Sequence, residues 1–174
     1  MQFSVGDKVI HPRHGCGQIV GLERLGLVEG FERYYVIKFP EKGLTVHVPV
    51  RKVEALRVRP VMSRAKLARV MDALRDRPHP LSEDFREREL RIRETLESGR
   101  PVRIAEAVRD LTWFKQHGRL TRADTDLLAR GRELLAAEIA LATGTDILDA
   151  KRTINIALER LLWQELEIRL NDHQ

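Results

Sequence analysis

The sequence predicts an α+β chain: a small N-terminal β-barrel of SH3-like or Tudor-like size, followed by an all-α bundle of about five helices. Three observations predict it. Over residues 1–60, apolar positions alternate with a period of two between Gly- and Pro-bearing turns; from 61 to 174 the apolar period is 3.6; and capping residues punctuate that second stretch.

In the first stretch, Gly6-Asp7 makes a turn before an apolar run that Pro12 and Gly15 stop, so a strand is expected over 7–11. Further strands are expected over 17–24, 32–39 and 44–49, with a short fifth near 55–58. Gly26 and Gly30 punctuate the second connection and Glu41-Lys42-Gly43 the third. Tyr34-Tyr35-Val36-Ile37 has the aromatic and β-branched content of a buried strand. Five short antiparallel strands in so few residues suit a small barrel, a module with exposed edges and loops.

In the second stretch, Ser63 caps a helix to about 76, with Leu67, Val70, Met71 and Leu74 on one face, and Arg77-Pro78-His79-Pro80 breaks it. Ser82 is read as the cap of a second helix ending at Ser98, with Gly99 as its left-handed stop. Pro101 opens a third, carrying Ile104, Ala105, Val108 and Leu111. Thr121 and Asp124 form a capping pair for a fourth, which Gly144 ends. The fifth starts at Thr145 or Asp146 and carries Ile147, Leu148, Ile154, Ala157, Leu158, Leu161 and Leu162.

Composition excludes several classes. No apolar run nears the roughly 18 residues that span a bilayer, and the start MQFSVGDK lacks the basic and apolar regions of a secretory leader, so a cytoplasmic protein with no membrane partner is expected. The single cysteine, Cys16, forms no internal disulfide. His11, His14 and Cys16 lie close, but no second His/Cys pair completes a zinc set, and no phosphate-binding loop, nucleophile elbow or HExxH motif is present. No catalytic residue, metal, cofactor or small-molecule substrate is therefore assigned. Net charge is +5: ten Lys and Arg against six Asp and Glu up to Pro60, then twenty-one against twenty. The eighteen arginines of the second stretch suit phosphate contact as well as helical ion pairs. Trp113 and Trp163 sit on apolar stripes and are read as core.

FSVGDKVIHPRHGCGQIVGLE (3–23), then YYVIKFPEKGLTVHVPV (34–50), then SGRPVRIAEAVRDL (98–111) with a helical remainder resemble the CarD/CdnL family of bacterial transcription regulators. The first motif is shared with the polymerase-interacting module of transcription-repair coupling factors; the third points to CarD/CdnL itself. The resemblance implies a module, 1–60, that binds the RNA polymerase β subunit, and a helical domain, 61–174, that contacts promoter DNA at the upstream fork of the bubble and stabilises the open complex.

The resemblance also assigns positions. The family's two basic docking positions fall on Leu25 and His47, with Arg24 beside the first, and strand addition through backbone hydrogen bonds would tolerate such changes. The family's wedge tryptophan, fourteen residues before the glycine matching Gly99, falls on Phe85, which has no indole N–H. Arg88 and Arg91 match basic positions, Arg86 and Arg93 add charge nearby, and Leu90 replaces a basic residue. The three-residue spacing of Phe85, Arg88 and Arg91 places them on one helical face, as phosphate contact around a wedge requires. Two other functions remain open on the sequence: a polymerase-bound adaptor whose nearly neutral bundle binds another protein, and an RNA-binding barrel, for which no aromatic strand motif is present.

Overall fold

A computed structural model describes the backbone of residues 2–171 and the side chains of these except Glu41 and 161–171. Trp163, Leu161 and Leu162, assigned to the core from sequence, lie outside the described side chains. The chain divides into two compact units, Met1–Val61 and Met62–Gln174.

The first unit is one antiparallel sheet of five strands, β1 (Lys8–His11), β2 (Gly15–Val28), β3 (Phe31–Phe39), β4 (Leu44–Pro49) and β5 (Arg59–Pro60), in the order β4-β3-β2-β1-β5. Alternation sends Val9, Ile19, Tyr35, Ile37, Phe39 and Val48 to one face, where Val53 and Val58 join them in the core. The strand expected over 55–58 is a turn: the Leu56 N–H donates to the Lys52 carbonyl and Arg57 adopts φ 55°, so Val53 and Val58 both tuck inward. Pairing begins with the next residue, Arg59, which opposes Ile10, and continues at Pro60, which opposes Val9. A proline is tolerated there because, among the described residues, β5 is the terminal strand of the sheet.

β2 runs four residues further than its composition suggests, through Gly26, with register shifts between Ile19 and Gly21 and between Arg24 and Val28. Gly26 marks an irregularity inside the strand rather than its end. Gly15 has φ 82° and is a turn glycine, but Gly17, two residues on, serves another purpose. A Cβ at Gly17 would lie 2.7 and 2.8 Å from the Phe39 ring and 2.9 Å from Ile37 Cγ2. Gly17→Ala is expected to destabilise this unit by about 1–3 kcal/mol through overpacking, measurable as a lower denaturant midpoint; an unchanged midpoint would show that the ring moves aside freely.

His11 is buried against this core, its Nδ1 accepting the Arg13 N–H at 3.1 Å. Burial, then the charges of His14, Arg13 and Lys42, push its pKa down to about 4. The unfolded chain takes up this proton near pH 6.5 and the native unit only near 4, so stability falls as pH drops from about 6.5 to 4, by up to about 3 kcal/mol from this group. Urea titrations at the two ends of that window should show a smaller loss for His11→Gln than for the parent; equal losses would contradict the assignment.

The second unit comprises five helices: α1 (Arg64–Arg75), α2 (Phe85–Glu97), α3 (Pro101–His117), α4 (Arg122–Thr143) and α5 (Ile147–Asn171). Ser63 caps α1, and Thr121 with Asp124 forms a complete capping box on α4. Gly99 and Gly144 take the left-handed conformation that ends α2 and α4. The cap of α2 is Asp84 rather than Ser82: its carboxylate accepts the Arg86 and Glu87 N–H groups, while the Ser82 hydroxyl binds Glu87. The apolar stripes of all five helices meet in one core that includes Val70, Leu74, Ile92, Leu96, Val108, Leu111, Leu135 and Ile154. Leu148, assigned to the α5 stripe, is instead exposed, because Ile147, Ala150 and Ile154 set the inward face. Among the described residues, no helix is long and apolar enough to cross a membrane.

Candidate functional site

In the first unit, β4 ends the sheet, so one row of its backbone N–H and C=O groups faces no strand among the described residues. His47 lies on β4 opposite Val36 and points away from the core face, on which its neighbours Val46 and Val48 pack. Its Nε2 stands 3.6 Å from the Glu23 carboxylate. Arg24 is opposite Arg33, one register step past the end of β4, on the other face of the β2–β3 ribbon. Leu25 falls in the irregular stretch between Arg24 and Val28 and is half-buried. The structure therefore brings His47 to Glu23 and separates it from Arg24. Along the same ribbon Leu22, Leu27 and Val28 are exposed, an apolar margin that strand alternation alone did not single out.

In the second unit the predicted residues cluster at the N-terminus of α2. Phe85 is the first helical residue and remains 52% exposed, although the core begins only seven residues on at Ile92. The Arg86 guanidinium lies 5.6 Å from the centre of its ring, a cation–π contact that leaves the other side of the ring uncovered by that arginine. Arg91 is exposed and pairs with Glu87 at 2.6 Å, and Arg93 pairs with Glu89 two residues further on. Exposed i,i+4 pairs of this kind contribute only about 0.3–0.5 kcal/mol, so a phosphate can displace the acid at little cost. Leu90 is also exposed.

Arg88 corrects the expectation of a shared solvent face. It is 3% exposed, with Nε and Nη2 donating to the two oxygens of Asp124 at 3.1 and 2.7 Å in a fork. Nη1 donates to the Ser82 carbonyl at 2.6 Å, and the guanidinium covers the Phe114 ring at 4.7 Å. All its donors point inward, so Arg88 is no phosphate contact in this conformation. The signal was in the sequence: Arg88, Ile92 and Leu96 recur at intervals of four, the buried stripe of α2. Burial disfavours the charge on Asp124, but hydrogen bonds from Arg88 and from the Thr121 backbone and hydroxyl outweigh it and hold this carboxyl below the usual range.

A second buried cation was missed for the same reason. Arg109 on α3 is fully enclosed, donating to Asp110 at 2.7 Å, to the Ala73 carbonyl at 3.0 Å and to His79 Nδ1 at 2.8 Å. Asp110 in turn accepts the His79 N–H at 3.0 Å. Together they fasten the Pro-bearing connection between α1 and α2. Trp113 is half-buried and its ring lies against His117, 4.0 Å between centres.

Residues 3–62 match the CarD-like/TRCF RID domain, and residues 69–155 match the CarD C-terminal domain. The two matches run in the same order as the two units and together span most of the chain. The chain belongs to the CarD family. Over 142 residues, 82% of this chain and 93% of the relative, the CarD-family protein is 27% identical to the "Putative transcription factor YdeB" of Bacillus subtilis (strain 168). Its two domains are those of a family of transcription regulators that interact with RNA polymerase.

Proposed function

We propose that this CarD-family protein is a non-enzymatic transcription regulator that holds promoters open. The first unit docks on the RNA polymerase β subunit by adding a strand to the free margin of β4, which carries His47, while Arg24 and Leu25 lie on β2 beyond the end of that strand, at the far end of the β2–β3 ribbon. The second unit sets Phe85 against the upstream edge of the melted promoter, with Arg86 and Arg91 on the adjacent phosphates. The observation that carries this reading is Phe85 itself: a large ring 52% exposed at a helix N-terminus, beside two exposed arginines, in a bundle whose other described phenylalanine is half-buried beneath Arg88. Apolar side chains inserted at base steps unstack them, and the ring needs no hydrogen bond to do so.

The lifetime of polymerase–promoter open complexes, measured with and without the protein under competitor challenge, tests this function. A longer lifetime is expected; an unchanged lifetime together with no association with polymerase would reject it. The alternative, an adaptor whose bundle binds protein, draws on the pairing of Arg91 and Arg93 with acids. Fork-DNA binding across a salt series separates the two, because phosphate contacts make affinity fall steeply with salt and a protein–protein contact leaves no such binding to measure.

A further inference from the structure

We propose that Arg88 is a positioning residue: held by Asp124, it fixes the segment that presents Phe85 to DNA. The inference rests on the wedge reading of Phe85 and adds what sets the wedge in place. Arg88 reaches backwards from the second turn of α2 to the carbonyls of Ser82 and Glu83, at 2.6 and 3.4 Å, the residues just before the Asp84 cap and Phe85. The same guanidinium grips Asp124 through both oxygens, and Asp124 is itself locked into the α4 capping box by the Thr121 N–H and hydroxyl, each 2.9 Å away. Phe114 of α3 supplies the floor beneath the guanidinium. One side chain thus ties the entry segment of α2 to the N-terminus of α4 and to α3, while the adjoining Phe85 ring stays exposed. A planar fork satisfied on every side is rigid, as a wedge support must be.

This role differs from phosphate contact in a measurable way. Exchanging a buried ion pair for apolar residues of similar size is often close to neutral for folding, whereas removing one partner is not. The double variant Arg88→Met/Asp124→Leu should therefore keep its helical melting transition and its association with polymerase, yet lose the tie to Ser82 and Glu83. Open complexes formed with full-length protein, on a promoter carrying 2-aminopurine at the upstream edge of the bubble, report both lifetime and unstacking. The double variant should shorten the lifetime by up to as much as Phe85→Ala does, roughly fivefold to a hundredfold, and should lower the 2-aminopurine signal. Adding Phe85→Ala to it should change little more, since both act through one ring. Should the double variant lose its helical signal, Arg88→Lys carries the test, since it keeps a cation for Asp124 but lacks the fork that holds Asp124 and the Ser82 and Glu83 carbonyls together.

Parent-like lifetime and fluorescence in the double variant, with Phe85→Ala impaired, would overturn the positioning role alone. Additive losses with a shallower salt dependence of fork binding would overturn it in favour of direct phosphate contact by Arg88. If Phe85→Ala itself behaved like the parent, the wedge reading would fall and the positioning role with it.

Discussion

Arg109→Ala is expected to lower the stability of the helical unit by about 3–5 kcal/mol, the loss typical of breaking a buried ion pair. The side chain is fully buried and joins three groups: the Asp110 carboxylate, the Ala73 carbonyl in the last turn of α1, and the His79 ring in the connection that follows. Its removal leaves a cavity and an uncompensated carboxylate at Asp110, itself only 6% exposed. It also removes the positive charge placed at the C-terminal end of α1, where helix carbonyls favour a cation. Since small domains are stable by only about 5–15 kcal/mol in total, the variant should unfold at much lower urea concentration, read from the far-ultraviolet signal of the helices. A change under about 1 kcal/mol would mean that solvent enters and satisfies Asp110, contrary to the enclosure seen here.

Phe85→Ala is expected to have the largest functional effect with almost no cost to folding. The ring is more than half exposed and Asp84 caps α2 with or without it, so stability should change by no more than about 0.5 kcal/mol. What disappears is the apolar surface offered to the fork. Base–aromatic stacking contributes about 1–3 kcal/mol per base, so the variant should lose between fivefold and a hundredfold of the added open-complex lifetime, in round figures. Pull-down of polymerase should be unchanged, because the proposed docking margin is on β4, in the other unit. Abolished pull-down would show that the two units do not divide the work as proposed. Phe85→Trp, which enlarges the stacking surface and adds an N–H donor, is expected to lengthen the lifetime beyond that of the parent.

Where local chemistry dictates structure, the sequence was legible. The Ser63 cap, the Thr121/Asp124 capping box, the left-handed stops at Gly99 and Gly144, and the 44–49 strand all follow from a few neighbouring residues. Packing and backbone geometry that composition does not specify decided the remainder. Gly17 owes its place to a ring from β3, Val58 turns inward because Arg57 adopts a positive φ, and Asp84 outcompetes Ser82 as the α2 cap. At the candidate site, a helical wheel placed Phe85, Arg88 and Arg91 together, but it does not distinguish an arginine that meets solvent from one that meets a buried acid thirty-six residues away. The stripe Arg88, Ile92, Leu96 carried that information, since a cation in register with two core residues needs a buried partner. Exposure of Phe85, in contrast, depends on the direction in which the Ser82–Asp84 segment enters the helix, which only the folded chain reveals.

The central claim is that Phe85 meets melted promoter DNA while the first unit holds polymerase. Photocrosslinking from a benzophenone side chain at position 85, in full open complexes on a promoter labelled base by base, tests it most directly. Adducts confined to bases at the upstream edge of the bubble, and absent from the closed duplex without polymerase, are the predicted result. Adducts only to protein, or to duplex DNA irrespective of polymerase, would contradict it.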